Sequence, residues 1–90
     1  MKLSTKSTYG VRAMFDLAIH SAKGPVSITS ISKRQDISIS YLEQLFNKLR
    51  KDGLVRSIRG PKGGYLMSRN PEDIKIGDII STLEGPIELA

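Results

Sequence analysis

Ser38-Ile39-Ser40-Tyr41-Leu42-Glu43-Gln44-Leu45-Phe46-Asn47-Lys48-Leu49-Arg50-Lys51 carries two opposed faces at helical spacing. Leu42, Leu45, Phe46 and Leu49 recur at i, i+3, i+4 and i+7, the stripe of a helix that buries one side. Ser40, Glu43, Gln44 and Asn47 repeat that spacing on the other side, flanked by Tyr41, Lys48, Arg50 and Lys51. Gln pairs with adenine edges, Glu accepts from cytosine, and Ser suits either kind of edge. The spacing therefore predicts a helix that anchors in a core and offers base-reading side chains outward. Either Ser38 or Ser40 can cap its start, and Asp52-Gly53 ends it, with Gly53 at the left-handed C-terminal position. A second reading stays open, because Ser40-x-x-Glu43 is also a capping box in which Glu43 reaches back to the backbone.

The segment before this helix supports a helix-turn-helix. Ser27 caps a short helix from Ile28 to Arg34, with Ile28 and Ile31 facing the core, and Gln35-Asp36-Ile37-Ser38 connects it onward. Two short helices joined by a brief turn, the second polar outward, form that motif. The turn lacks glycine, so Asp36 is expected to adopt the left-handed conformation.

The segment after it reads as a wing. Leu54 to Arg59 and Tyr65 to Arg69 are strand-like, and Gly60-Pro61-Lys62-Gly63-Gly64 turns the chain between them. The turn carries Arg59 and Lys62 among glycines that permit close approach to a surface. An extended arginine in a narrow minor groove is one way of reading DNA shape.

Outward from there the chain is helical again. A helix starting between residues 5 and 8 has Tyr9, Ala13, Met14, Leu17 and Ala18 as its core stripe. Val11, Phe15 and Ile19 form a second apolar row, more than a domain of this size readily buries by itself. Arg12, Asp16 and His20 are its main polar positions, and His20 is expected at the surface without an acidic partner. Ala22-Lys23-Gly24-Pro25 breaks this helix. Asn70-Pro71-Glu72-Asp73-Ile74 starts a new turn, and 76–84 is a further helix with Ile76, Ile79, Ile80 and Leu83 on one face, stopped by Gly85-Pro86.

The totals agree with a nucleic-acid partner. Ninety residues make one small domain, and the formal charge is +5. Residues 1–69 hold 13 Lys/Arg against 4 Asp/Glu, whereas residues 70–90 hold one Lys against 5 acids. A basic body with an acidic tail points the body towards a polyanion. With no cysteine and one histidine, the chain offers neither a disulfide framework nor a thiolate metal site, so no cofactor or metal ligand is assigned to it. No apolar run approaches the roughly 18 residues of a membrane span, and the start lacks a secretory core, so the cytoplasm is the expected location. There is no internal repeat or interdomain linker.

Competing chemistries fit less well. Gly60-Pro61-Lys62-Gly63-Gly64 lacks the Walker spacing and leads into a strand rather than a helix. Serines are present, but His20 is the lone imidazole and no acid is placed to orient it, so an enzyme is not expected. The rival is a winged helix used for protein or RNA contact. A DNA reader loses affinity steeply with salt and prefers particular duplexes, while a protein-contact module does neither.

Leu3-Ser4-Thr5-Lys6 with Tyr9, the run Ser40-Tyr41-Leu42-Glu43-Gln44-Leu45, Leu49-Arg50-Lys51-x-Gly53-Leu54-Val55 and Arg59-Gly60-Pro61-x-Gly63-Gly64-Tyr65 together resemble the Rrf-two family of bacterial regulators. Its iron–sulfur cluster regulator (IscR) and cysteine metabolism repressor (CymR) types are the ones the sequence looks like. The likeness covers essentially the whole chain. It implies an α+β, mainly helical, winged helix-turn-helix acting as a homodimeric transcription factor, often a repressor, on a palindromic operator. By that likeness Ser40, Glu43 and Gln44 enter the major groove and Arg59 the minor groove. Lys6, Tyr9, Tyr41, Lys48, Arg50 and Pro61 become backbone or wing contacts, joined by Ser38, Asn47 and Lys62 on the same helix and loop. Residues 1–90 are then a DNA-binding domain with its helix-turn-helix at about 27–52, wing at about 54–69 and a following helix at about 76–84.

Two departures from the family pattern matter. Ser7-Thr8 stands where relatives often carry Gly-Arg, which removes one basic backbone contact. Relatives also continue beyond the segment Leu83 to Ile87 into a dimerisation helix, and many carry there three cysteines for an iron–sulfur cluster (2Fe-2S). The expected partners are duplex DNA, a second copy of the chain through sequence beyond residue 90, and a regulatory protein, with no membrane.

Overall fold

The computed structural model describes residues 4–85, and residues 1–3 and 86–90 lie outside that range. Among the described residues the order is α1 (Thr5–His20), α2 (Ile28–Gln35), α3 (Ile39–Lys51), β1 (Val55–Ile58), β2 (Gly64–Met67) and α4 (Ile76–Glu84), with short 3-10 turns at Ser21–Lys23 and Pro71–Asp73. This is the expected helical domain with a two-stranded wing.

Each helix starts and stops for a local reason. The hydroxyls of Ser4, Ser27 and Ser38 accept from the backbone N–H groups of Ser7, Ser30 and Tyr41 at 3.2, 3.1 and 3.2 Å. Each thereby satisfies a first-turn donor that has no partner within its helix. Asp36 ends α2 at φ 55°, ψ 49°, the left-handed turn expected of it. Ser32 donates its hydroxyl to the Ile37 carbonyl at 2.5 Å and fixes that turn. At the end of α3, Gly53 (φ 77°) lets the Leu54 N–H reach the Leu49 carbonyl at 2.9 Å and its own N–H reach the Arg50 carbonyl at 3.0 Å. This paired closure is a Schellman motif, and it buries Leu54 beneath the helix end.

The core sits where α1, α3 and α4 meet. Leu42, Leu45, Phe46 and Leu49 are buried with Ala13, Met14, Leu17, Ile31, Ile79 and Leu83. Gly10 sits in mid-helix, where glycine normally costs about 0.5–1 kcal/mol. A Cβ built there would lie 2.0 Å from Leu83 Cδ1, so the glycine admits α4 across α1. Of the stripe expected on α4, Ile79 and Leu83 are buried and Ile80 half-buried, whereas Ile76 is 61% exposed. The first turn of α4 lies at the edge of the domain, and the contact across Gly10 is made by its second half.

The strands are antiparallel, with Val55 opposite Met67 and Ile58 opposite Gly64. They are shorter than the sequence suggests. A third extended segment joins them: Val26 and Tyr65 exchange backbone hydrogen bonds at 2.9 and 2.8 Å. Gly64 makes this approach possible, because a Cβ there would sit 2.4 Å from the Val26 carbonyl oxygen. The wing is therefore tied to the lead-in of α2, and Tyr65 stacks on Phe46 with centroids 4.8 Å apart.

Candidate nucleic-acid interface

Burial of the apolar stripe of α3 fixes what its other face presents. Ser40, Glu43, Gln44, Asn47 and Arg50 are all exposed and line one open groove, bordered by Ile28 of α2 and Tyr65 of β2. Ser38, not Ser40, is the N-cap of α3. The capping-box reading therefore falls: Ser40 lies inside the helix, and Glu43 is not reaching back to its start. Among the described residues, no hydrogen bond uses the side chains of Ser40, Glu43 or Gln44. Asn47 does have a partner, accepting from Arg50 Nη2 at 2.9 Å.

The basic and aromatic flank is brought together from α1 and α3. Tyr9 and Tyr41 meet edge to face at 5.8 Å, and Arg12 lies 5.4 Å from the Tyr9 ring. Lys6 and Lys48 adjoin across the two helices. The Lys6 side chain and its charge hold the Lys48 ammonium below the usual lysine range, because two like charges this close resist full protonation. Ser38 is exposed, with its hydroxyl occupied as a cap. Thr8, on the outer side of α1, turns its hydroxyl to the Ser4 carbonyl at 3.1 Å.

Arg59, Pro61 and Lys62 stand exposed in the loop between the strands. The loop is closed by the Gly63 N–H on the Gly60 carbonyl at 2.9 Å. Lys62 borders a different hollow, with Lys23, Ser30 and Arg34, and not the α3 groove. The predicted residues thus fall into three clusters: the α3 groove, the Lys6–Lys48–tyrosine flank, and the wing loop.

Two features were not anticipated. Asp16, one of the polar positions of α1, is buried: its carboxylate accepts from Arg34 Nη2 at 2.7 Å, Arg34 Nε at 2.9 Å and Gln35 Nε2 at 2.9 Å. His20, expected to lack an acidic partner, has its Nδ1 3.4 Å from Asp16 Oδ1 and 2.8 Å from the Asp16 carbonyl oxygen. One helical turn separates the two, a spacing visible in the sequence. Burial pushes the Asp16 carboxyl up, but the hydrogen bonds from Arg34 and Gln35, with the charges of Arg34 and His20, hold it below the usual range. Arg12 completes the chain of contacts, donating to the Gln35 carbonyl at 2.5 Å. Aromatic, cation–π and hydrogen-bond contacts thus run in turn from Tyr41 through Tyr9, Arg12 and Gln35 to Asp16 and Arg34, joining three helices.

Among the described residues no group of three or more His, Cys, Asp or Glu side chains could hold a metal ion. The chain has no cysteine, so its residues do not fit an iron–sulfur cluster. No helix among the described residues is long and apolar enough to cross a membrane.

Residues 3–90 match the profile of the Rrf2 family, described as "Iron-dependent Transcriptional regulator". The HTH-type transcriptional regulator IscR of Pectobacterium atrosepticum is 52% identical over 88 residues, covering 98% of this chain and 54% of that protein. The IscR of Escherichia coli O1:K1 / APEC is 50% identical over the same length and coverage. Among solved structures, T. potens IscR matches with a TM-score of 0.89 at 58% identity, over 100% of this chain and 66% of that one. CymR, the global cysteine regulator of B. subtilis, matches with a TM-score of 0.92 at 46% identity, over 100% and 72%. The chain spans about half the length of the curated relatives it matches. These relatives are transcriptional regulators, not enzymes.

Proposed function

Because the chain belongs to the Rrf2 family of transcriptional regulators, we propose that it is the sequence-reading DNA domain of a homodimeric regulator, acting chiefly as a repressor. In this reading α3 enters the major groove with Ser40, Glu43 and Gln44 on base edges, and Arg59 enters the adjacent minor groove. Lys6, Tyr9, Ser38, Tyr41, Asn47, Lys48, Arg50, Pro61 and Lys62 meet the sugar–phosphate backbone. The observation that carries it is the α3 face itself. Three unengaged polar side chains of base-reading type stand outward from a helix locked into the core, beside a flank of exposed cations. Positioning by phosphate contacts and specification by base contacts divide the work in this way.

A second copy completes the reader. Phe15 and Ile19 of α1 are 68% and 60% exposed, and Val11, Phe15 and Ile76 border an apolar hollow beside α4. That surface and the greater length of the relatives support a dimer formed by further sequence, placing two α3 helices on a palindrome. An iron–sulfur cluster in the full-length protein would draw its ligands from residues outside this sequence. Action on chromosomal DNA places the protein in the cytoplasm.

Selection from a random-sequence duplex pool tests this. A palindrome with half-sites about 10–10.5 base pairs apart, centre to centre, should be enriched. Its affinity should fall linearly with salt on logarithmic axes. Absence of an enriched sequence, with binding indifferent to salt, would instead favour the protein-contact reading.

A further inference from the structure

Glu84, the last residue of α4, does not point into solvent alone. Its carboxylate accepts from the hydroxyl of Ser4, the N-cap of α1, and from the hydroxyl of the fully buried Ser7 at 2.5 Å. Two residues onward from Ser4 is Lys6, which adjoins Lys48 of α3. The Glu84 carboxylate is thereby held on the first turn of α1, the turn that carries Lys6, close enough for its charge to be felt at Lys48 without forming an ion pair with either lysine. The Ser4 and Ser7 hydroxyls, with the Lys6 charge, hold the Glu84 carboxyl below its usual range. It is ionised wherever the protein meets DNA.

We propose that Glu84 sets the strength of the phosphate contact made by Lys6 and Lys48, acting as a built-in competitor held in place by Ser4 and Ser7. This rests on the reading of that lysine pair as a phosphate contact. Two adjoining ammonium groups repel each other and favour an anion between or beside them. Phosphate supplies one from outside, and Glu84 supplies one from inside. The internal anion relieves the repulsion in the free protein and reduces the gain when phosphate arrives. Its anchoring makes the competition steady, because two hydroxyls fix the carboxylate that a freely rotating side chain would leave in water. Glu84 also orders the first turn of α1, from which Lys6 projects. It is thus a positioning residue whose charge weakens binding to any duplex.

The test uses the full-length protein and a short fluorescein-labelled duplex of scrambled sequence, whose binding reports phosphate contacts. Glu84→Gln keeps an acceptor for both serines and removes the charge. Affinity at low salt should rise up to about twofold, the lower end of what a nearby exposed charge is worth. The salt slope should steepen by up to about one, the release of one further counterion. In a Lys6→Ala/Lys48→Ala background the same substitution should change neither quantity. Thermal stability, measured alongside, separates a merely structural role, which shifts the melting temperature and leaves the salt slope alone. Unchanged affinity and slope in Glu84→Gln, with a reduced slope in Lys48→Ala, overturns the proposal while leaving the phosphate contact standing. An unchanged slope in Lys48→Ala overturns the phosphate contact itself, and the proposal with it.

Discussion

Arg34 closes on Asp16 with two nitrogens, Nη2 at 2.7 Å and Nε at 2.9 Å, clamping the end of α2 to the middle of α1. The carboxylate is buried and the guanidinium about a third exposed. A forked pair of this kind fixes direction as well as distance. Because α2 is only eight residues long, it has little packing of its own to hold its orientation. The clamp, with Gln35 and Arg12, fixes how the helix-turn-helix sits on α1 and therefore where α3 points.

Asp16→Asn should destabilise the domain by about 1–3 kcal/mol, the range for lost charged hydrogen bonds and stranded polar groups. The sign with pH follows from the depressed carboxyl. Its pKa is below the unfolded value of roughly 3.9. The contribution is therefore fully present above about pH 4 and is lost as pH falls through the folded value. Denaturant melts of wild type and Asp16→Asn should differ most at neutral pH and converge in acid. A gap that stays constant down to acid pH would show that the charge of Asp16 contributes nothing.

Gly10→Ala sets helix propensity against space. Alanine gains about 1 kcal/mol in a helix interior, but its Cβ would meet Leu83 Cδ1 at 2.0 Å. Overpacking of this kind costs about 1–3 kcal/mol. A net loss of stability is expected in the wild-type background and a gain in Leu83→Ala, where the space is free. Thermal melts of the four proteins in the cycle give the coupling. Simple additivity would mean that α4 does not cross α1 at this glycine.

Why some of this was legible in the sequence and some was not is a matter of range. The cap at Ser27, the left-handed Asp36 and the Gly53 closure depend on residues within a few positions, and the chemistry of those residues announces them. The α3 groove follows from one periodic stripe, since a face that packs forces the other outward. The role of Gly10 could not be read, because its partner Leu83 is 73 positions away and a lone mid-helix glycine has no periodicity. The burial of Asp16 could not be read for the same reason: Arg34, which makes it tolerable, belongs to another helix. His20 shows a different gap, since its acid was one turn away. The buried side of Asp16 made that spacing count.

Glu43→Ala should relax sequence preference and leave non-specific affinity equal or higher. A carboxylate at a base edge accepts from cytosine N4 and repels acceptor edges and phosphates, so it discriminates partly by rejection. Competition among single-base operator variants reads the preference directly. A mutant with the wild-type ranking of variants would remove Glu43 from base readout. Because Ser38 caps α3, loss of the helix itself is not expected and circular dichroism should be unchanged.

Arg59→Ala and Lys48→Ala should fail in different ways. Arg59 stands at the exposed start of the wing loop, and its loss should cost roughly 1–3 kcal/mol on the preferred duplex, with less effect on scrambled DNA. Lys48 adjoins Lys6 on the flank, and its loss should weaken all duplexes about equally and reduce the salt slope by about one. Fluorescence anisotropy across a salt series on both duplexes separates the two patterns. Equal losses for Arg59→Ala on both duplexes would reduce it to a phosphate contact.

The last prediction concerns the exposed row on α1. Phe15 and Ile19 lie one turn apart and more than half exposed, on a helix whose opposite side, through Ala13, Met14 and Leu17, already fills the core. Large apolar groups side by side at a surface mark a contact site more often than chance. An apolar hollow bordered by Val11, Phe15 and Ile76 continues the surface towards α4. If sequence beyond residue 90 covers it and joins two copies, residues 1–90 alone should sediment as a monomer and bind DNA weakly, while the longer protein should be a dimer. Introducing a charge by Phe15→Glu should shift the longer protein towards monomer and leave the fold of residues 1–90 intact, because Phe15 is not part of the core. Two-fold symmetry is what matches two α3 helices to two half-sites, so the same variant should lose operator affinity far more than affinity for scrambled DNA. A Phe15→Glu protein that remains a tight dimer, or residues 1–90 that dimerise tightly unaided, would move the dimer contact away from this surface or from the further sequence, respectively.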